Sequence, residues 1–182
     1  MLKKLTLTVV ERQLIARLLE RVEGEVNLAA ARSVREVRRR LDLREAGRQV
    51  EQVERLVADY RGDMRGLPWD DVADPSDMLA DFRDRLAEEQ AGETPDAAEM
   101  HRLERLLARL EDLPAEHEYT LDDAMLRWLQ TLCTTVKWNM ARNIDRSTGQ
   151  VHTIEIPVDP ALLVVFADVA DKVTAALAAA PG

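Results

Sequence analysis

Few residues in this chain are of types that could carry out chemistry, and they lie far apart in the sequence. His101 and Glu104 are one helical turn apart, a spacing that can present two metal ligands on one helix face. Cys133 is the single cysteine, and it lies within an apolar helical pattern. Since neither spacing matches Cys-x-x-Cys or His-Glu-x-x-His, we expect surface histidines, a buried inert thiol and no bound metal or cofactor.

Nucleophilic catalysis and phosphate binding also lack their usual sequence patterns. A nucleophilic serine needs a base and a positioned turn, but Ser33, Ser76 and Ser147 lie in helix or turn contexts without a Gly-x-Ser-x-Gly pattern. The chain has no glycine-rich phosphate loop. Adjacent carboxylates such as Asp70 and Asp71 are more typical of a helix start than of acid–base catalysis. We therefore expect a protein that is not an enzyme.

Charge is segregated along the 182 residues, and this is the strongest signal in the sequence. The net charge is −9, but residues 1–50 hold 12 Lys and Arg against 7 Asp and Glu, whereas residues 51–120 hold 8 against 20. An acidic chain cannot hold phosphates by overall attraction, because those contacts need a local excess of cations. This argues against tight non-specific nucleic-acid binding by the whole chain and leaves room for a local basic face.

The acidic middle of the chain, residues 51–120, predicts a surface that binds a basic surface of a host protein. Trp69 lies in a loop pattern beside a series of aspartates, and an aromatic anchor ringed by charge is a common arrangement at interfaces. One specific version is nucleic-acid mimicry, with carboxylates in the positions of phosphates. The alternatives are that the charges only solubilise helix faces and that Trp69 plugs the core. The predicted partner-binding residues are Trp69, Asp70, Asp71, Asp74, Asp77, Asp81 and Asp84.

The basic N-terminal part of the chain, residues 1–50, predicts a second candidate binding surface, on a helix over residues 28–41. If a short glycine-containing turn joins the first helix to this one, the two form a helix-turn-helix whose second helix enters the major groove of DNA. The alternative is a solvated face whose arginines pair with Glu36, Glu45 or the acidic middle. The candidate nucleic-acid-binding residues are Arg32, Arg35, Arg38 and Arg39.

Start signals and apolar periodicity predict six or seven helices that position these residues. Apolar residues recur at helical spacing, and a capping residue precedes most of the runs. Two glycines and a proline interrupt the pattern in residues 62–74, which marks the main loop. The predicted start pairs are Thr8–Glu11, Asp42–Glu45, Asp74–Pro75, Thr94–Pro95, Thr120–Asp123 and Asp159–Pro160.

The predicted fold is all-α, an irregular bundle with a small β-ribbon near residues 134–157, where β-branched residues partly alternate around a Ser-Thr-Gly turn. We expect a basic helical part over residues 1–61 and an acidic helical part over residues 62–182, with one continuous domain as the alternative. No run of 18 apolar residues is present, so we expect no membrane span. A leucine stripe makes self-association a third candidate function, through Leu103, Leu106, Leu107 and Leu110.

Both ends of the chain resemble small proteins encoded by phages and prophages. The N-terminal similarity is carried by the segment LTLTVVERQLIARLLERVEG and the following NLAAARSVREVRRRLDL. The C-terminal similarity is carried by Trp138-Asn139, by Ile154-Glu155-Ile156 and by a closing helix over residues 160–177. About 90 residues, including the acidic middle, separate the two similar parts, which is a large departure from that pattern. The resemblance implies a phage-type origin and carries no activity over to this chain.

The leading prediction from these features is a non-catalytic interaction protein that modulates or inhibits a host nucleic-acid-handling assembly, such as RNA polymerase or a CRISPR effector. The alternative is a helix-turn-helix DNA-binding regulator that uses residues 28–41. Nucleic acid is expected only through the N-terminal basic helix. A single cysteine indicates a reducing, cytoplasmic location. The sequence leaves the identity of the partner and the oligomeric state open.

Overall fold

A computed structural model describes residues 2–20, 28–62, 65–135, 140–144, 151–155 and 159–179. These ranges contain eight helices and four strands, so the mostly helical class is confirmed, with one or two helices more than predicted. The elements in chain order are β1 (Leu2–Thr8), α1 (Val9–Glu20), α2 (Leu28–Arg40), α3 (Leu43–Arg61), α4 (Trp69–Ala73), α5 (Ser76–Ala91), α6 (Ala97–Asp112), β2 (Glu116–Asp122), α7 (Asp123–Thr135), β3 (Met140–Ile144), β4 (Val151–Glu155) and α8 (Pro160–Ala178).

The N-terminal strand and its partner were not anticipated. β1 pairs with β2 antiparallel along its whole length, from Leu2 opposite Asp122 to Thr8 opposite Glu116. Leu5, Leu7 and Leu121 are buried, while most residues between them are partly or fully exposed, as expected for a half-buried ribbon. Because β1 spans only seven residues and continues directly into α1, its alternation is easily read as the entry to a helix.

The predicted ribbon near residues 134–157 is present as β3 and β4, which pair antiparallel with Met140 opposite Glu155 and Ile144 opposite Val151. Trp138-Asn139 and Ile156, which carry part of the phage resemblance, lie outside the described residues. Residues 21–27, which follow α1, also lie outside them.

The helix starts show which capping predictions hold. At α1 the Glu11 carboxylate accepts from the Thr8 N–H at 2.7 Å, and the Thr8 hydroxyl accepts from the Glu11 N–H at 3.1 Å, which confirms this capping box. At α8 the Asp159 carboxylate accepts from the Ala161 N–H at 2.9 Å, as predicted.

Three other starts differ from the prediction. Asp42 makes no side-chain cap and adopts a left-handed conformation with φ of 49° in the turn between α2 and α3. The cap of α6 is Asp96, which accepts from the N–H groups of Ala98 and Glu99, whereas Thr94 was predicted. Thr120 lies in β2, and α7 begins only at Asp123. In each case a nearby aspartate or the geometry of the turn provides hydrogen-bond acceptors for the backbone N–H groups that the predicted residue was expected to cap.

Packing unites both halves of the sequence. α1 packs mainly on α3, α5 forms a helical hairpin with α6, and α7 packs on α8, which also covers β1 and α4. Buried side chains from both sides of residue 62 belong to one hydrophobic cluster. The leucine stripe of α6 is part of that cluster, so it is not available as a self-association surface in this structure; its residues are Leu103, Leu106, Leu107 and Leu110.

Two buried charges at the start of α1 join the surrounding elements. Glu11 is 5% exposed and lies 2.9 Å from Nζ of Lys172 on α8, which also contacts Glu116 of β2 at 2.9 Å. Burial would lower the pKa of Lys172, but its hydrogen bonds to Glu11 and Glu116 outweigh that and raise it. Arg12 is 3% exposed and donates to the Leu41 and Asp42 carbonyls, both at 3.5 Å. This pair therefore fixes α8, β2 and the α2–α3 turn around α1.

Candidate partner-binding surface

The acidic segment folds as two consecutive helices, α4 and α5, separated by one turn. The Asp74 side chain accepts hydrogen bonds from the Ser76 N–H at 3.2 Å and from the Ser76 hydroxyl at 2.5 Å. These two bonds lower the pKa of Asp74. The predicted Asp74–Pro75 start therefore holds in part: Asp74 stabilises the turn, and α5 begins at Ser76, one residue after the proline.

Carboxylates form one stripe along α5. Their spacing of four, three and four residues brings them to the same face of an α-helix. The opposite face is buried and consists of Met78, Leu79 and Phe82. At 1.5 Å rise per residue the stripe is about 16 Å long. We call this set the acidic stripe; its members are Asp77, Asp81, Asp84 and Glu88, and all four are exposed.

The acidic stripe is largely free of internal ion pairs. Asp81 lies 3.3 Å from Nε of Arg85 on the next turn of α5. The other arginine of this helix, Arg83, reaches away to Glu111 on α6 at 2.6 Å. Within the described residues, the carboxylates of Asp77, Asp84 and Glu88 have no hydrogen-bond or ion-pair partner. These side chains are accordingly available to a partner without the loss of an internal contact.

A groove of about 620 Å³ lies beside the acidic stripe, between α5, α6 and the end of α3. Tyr60 lines it, with Asp81, Asp84, Glu88, Glu89 and Glu99 around it. The Arg85 guanidinium lies 5.7 Å from the centre of the Tyr60 ring and 5.9 Å from that of Phe82. Burial raises the pKa of Tyr60, which also contacts Arg85 and Glu99. The carboxylates around the groove favour a cationic side chain there, while Arg85 of α5 already covers the aromatic rings.

Sequence reasoning missed this groove because its residues come from three helices. Tyr60, near the end of α3, is half-buried, and its ring meets Phe82 of α5 edge-on at 5.3 Å. Glu99 lies on α6, so its place in the groove follows only from the packing of α5 against α6. The one signal in the sequence was the regular spacing of the aspartates in α5.

Trp69 does not lie in this groove. Its side chain is half-buried against the core, and the Arg17 guanidinium covers its ring at 4.3 Å. Its indole N–H is buried and has no acceptor among the described residues. This placement favours the core-plug alternative over an exposed anchor. Asp71 is also separate, since it lines a different cavity of about 280 Å³ together with Arg61 and Arg65. The structure thus divides the predicted partner-binding set: Asp77, Asp81 and Asp84 form one face, whereas Trp69 and Asp71 lie in other surroundings.

The basic helix α2 exposes all four of its candidate arginines. Arg32, Arg35, Arg38 and Arg39 are exposed, and among the described side chains of α2 only Val37 is fully buried. Arg39 and Arg40 bind Glu36 at 2.6 Å and 3.0 Å. Their hydrogen bonds lower the pKa of Glu36 from 4.5 to about 2.

Pairing within this region is partial. Glu45 is bound by Arg48 of α3 at 2.5 Å, so of the two predicted glutamates only Glu36 is bound by arginines of α2 among the described residues. Arg32, Arg35 and Arg38 have no ion-pair partner in the part of the chain that the structure describes.

The described residues around α2 do not test the predicted helix-turn-helix. α2 continues into α3 through a two-residue turn at Leu41 and Asp42, and α1 packs mainly on α3. Residues 21–27, which would form the predicted glycine-containing turn, lie outside the described residues. The described part of the chain therefore shows an exposed basic helix, and it leaves the DNA-binding role of residues 28–41 a prediction.

The residues that could do chemistry are dispersed. His101 and His117 are exposed, on α6 and β2 respectively. Cys133 is buried, and burial raises the pKa of its thiol to about 11. Within the described ranges no three His, Cys, Asp or Glu side chains converge in a way that would hold a metal ion. Among those same residues, no helix has the length and apolar character needed to cross a bilayer.

Comparison of the chain with protein-family models, with curated proteins and with solved structures gives no match. The features of the described residues that bear on function are the charged surfaces of α2 and α5 and the groove beside Tyr60.

Proposed function

We propose that this chain is a non-catalytic interaction protein that binds a basic surface of a host nucleic-acid-handling assembly through the acidic stripe of α5. The observation that carries the proposal is that Asp77, Asp84 and Glu88 are exposed on one face of a well-anchored helix and have no partner among the described residues. Charged side chains on a fixed scaffold steer a complementary surface into register and raise its association rate.

The charge density of this face supports a mimic of nucleic acid. Four carboxylates over about 16 Å give one charge per roughly 5.5 Å, against one phosphate per about 3.4 Å along a DNA strand. The stripe alone therefore supplies more than half the linear charge density of one strand. Glu89 and Glu99, which line the adjoining groove, increase it further. A channel that normally holds a nucleic-acid strand has the complementary charge.

Purified bacterial RNA polymerase and a purified CRISPR effector complex are the probes for this proposal, with binding followed by biolayer interferometry. We expect Asp77→Lys/Asp84→Lys to slow association with the bound assembly by at least about tenfold, because steering is lost. The matched control is Glu104→Lys/Asp171→Lys, which makes the same charge change at exposed positions on α6 and α8. Equal slowing by both variants, or no binding of either probe, would contradict the proposal.

A second candidate function is DNA binding through α2, favoured by the exposure of Arg32, Arg35 and Arg38 without ion-pair partners among the described residues. A mobility-shift assay on pooled duplex DNA at low and moderate salt tests it. If α2 binds phosphates, affinity falls steeply with salt and is lost in Arg35→Ala/Arg39→Ala. Binding that ignores these substitutions, or no shift at low salt, would rule this candidate out.

A further inference from the structure

The arginines of α2 and the carboxylates of α5 match in spacing. Arg32, Arg35 and Arg39 follow one another at three and four residues, which brings them to one face of α2. Asp77, Asp81 and Asp84 follow one another at four and three residues on one face of α5. When the two helices are aligned antiparallel the intervals coincide, and each series then spans about 10 Å.

We propose that the α2 face of one copy of this chain docks antiparallel on the α5 acidic stripe of a second copy. In this alignment Arg39 lies opposite Asp77, Arg35 opposite Asp81 and Arg32 opposite Asp84. This inference does not rest on the proposed function, because its occupant is the chain itself.

The same alignment places no like charges directly opposite each other. Glu36, the carboxylate on the arginine side of α2, lies opposite Ala80 of α5. Arg85, which flanks the acidic stripe, lies opposite Ala31 of α2. Both alanines are exposed and small, so they let the helices approach. An antiparallel arrangement also sets the two helix dipoles in the favourable direction.

The complementary faces do not satisfy each other within one chain. Arg32 and Arg35 have no ion-pair partner, and neither do Asp77 and Asp84, in the ranges that the structure describes. Each copy therefore presents one basic and one acidic face, and a second copy supplies the missing partner for both. Two such contacts close a twofold dimer, whereas a single contact per copy gives a head-to-tail series.

The association is expected to be weak and sensitive to charge. The two copies each carry a net charge of −9, which opposes their approach, and exposed ion pairs contribute little individually. The contact therefore depends on the combined effect of the three aligned pairs, and reversal of two of them removes it.

Sedimentation equilibrium of the full chain at high micromolar concentration tests the proposal. We expect the wild type to associate, and we expect Arg32→Glu/Arg35→Glu and Asp81→Arg/Asp84→Arg each to weaken self-association by at least about tenfold. An equimolar mixture of the two variants should form a one-to-one complex, because each variant keeps the face that the other has lost. Circular dichroism checks that both variants are folded.

The control variant Glu104→Lys/Asp171→Lys should associate at least as strongly as the wild type does, because it leaves both faces intact and lowers the net negative charge. A wild type that stays monomeric, variants that associate unchanged, or a mixture that does not form a complex would overturn the proposal. Its failure differs from that of the proposed function, because Arg32→Glu/Arg35→Glu removes self-association and leaves the acidic stripe intact, so binding of this variant to the host assembly tests the proposed function.

Discussion

Residues 28–48 and residues 69–89 are two charged regions of equal length and opposite sign. The first holds seven arginines and three carboxylates, and the second holds eight carboxylates and two arginines. In the basic region two of the three carboxylates, Glu36 and Glu45, are bound by neighbouring arginines. In the acidic region Arg85 binds Asp81, but Arg83 turns away to α6. Among the described residues, the acidic region therefore leaves a larger share of its charge without an ion-pair partner.

The two regions also differ in how they are attached to the core. α5 buries Met78, Leu79 and Phe82 and packs along α6. Among the described side chains of α2, Val37 alone is fully buried, and the helix joins α3 through a left-handed turn at Asp42. A charged face that is fixed by several buried side chains loses little conformational entropy when it binds. The comparison thus favours α5 as the interface with a rigid host assembly.

The largest effect should come from removing the main anchor of the acidic region. Phe82→Ala should lower the free energy of unfolding by about 3–5 kcal/mol, because the ring is fully buried and packs edge-on against Tyr60. Val37→Ala, the matching change in α2, should cost about 1–3 kcal/mol. Urea denaturation measures both. A Val37→Ala loss equal to or larger than the Phe82→Ala loss would contradict the difference in anchoring.

The turns that bound α3 provide a second, smaller contrast. Asp42 and Gly62 both have positive φ, of 49° and 67°. Asp42→Gly should stabilise the chain by about 1 kcal/mol, because glycine adopts this conformation without the penalty of a side chain. Gly62→Ala should destabilise the chain by about 1–2 kcal/mol, because a side chain disfavours the left-handed backbone conformation. An added Cβ would meet no atom within 4 Å, so no steric clash contributes to this cost. Thermal unfolding checks the two signs, and a shift in the same direction for both would refute this explanation.

The smallest effect concerns the ion pairs of the basic region. The hydrogen bonds from Arg39 and Arg40 lower the pKa of Glu36 from 4.5 to about 2. Because the folded-state value is the lower one, the stability from this contact is present above about pH 4.5 and is lost as the pH falls toward 2. Carbon-13 NMR of the carboxyl groups should show Glu36 titrating near pH 2. A titration midpoint near pH 4.5 would show that Arg39 and Arg40 do not hydrogen-bond Glu36 in solution.

Local signals in the sequence predicted much of the helical framework but few of the long-range contacts between its elements. Thr8–Glu11 and Asp159 act within one helical turn, so their roles follow from the sequence alone. β1 and β2 are more than 100 residues apart in the chain, and such pairing leaves only a short alternation in each strand. The exposed aspartates of α5 were predictable from periodicity. The cover of Trp69 by Arg17, which comes from α1, was not, because it depends on tertiary packing.

The most direct test of the account sets the two regions against each other in one experiment. The association rate with the bound host assembly is measured for Asp77→Lys/Asp84→Lys and for Arg32→Glu/Arg35→Glu under identical conditions. The account predicts that the first variant associates at least about tenfold more slowly than the wild type, while the second associates at the wild-type rate or faster. Slow association of the arginine variant together with a wild-type rate for the aspartate variant would contradict it.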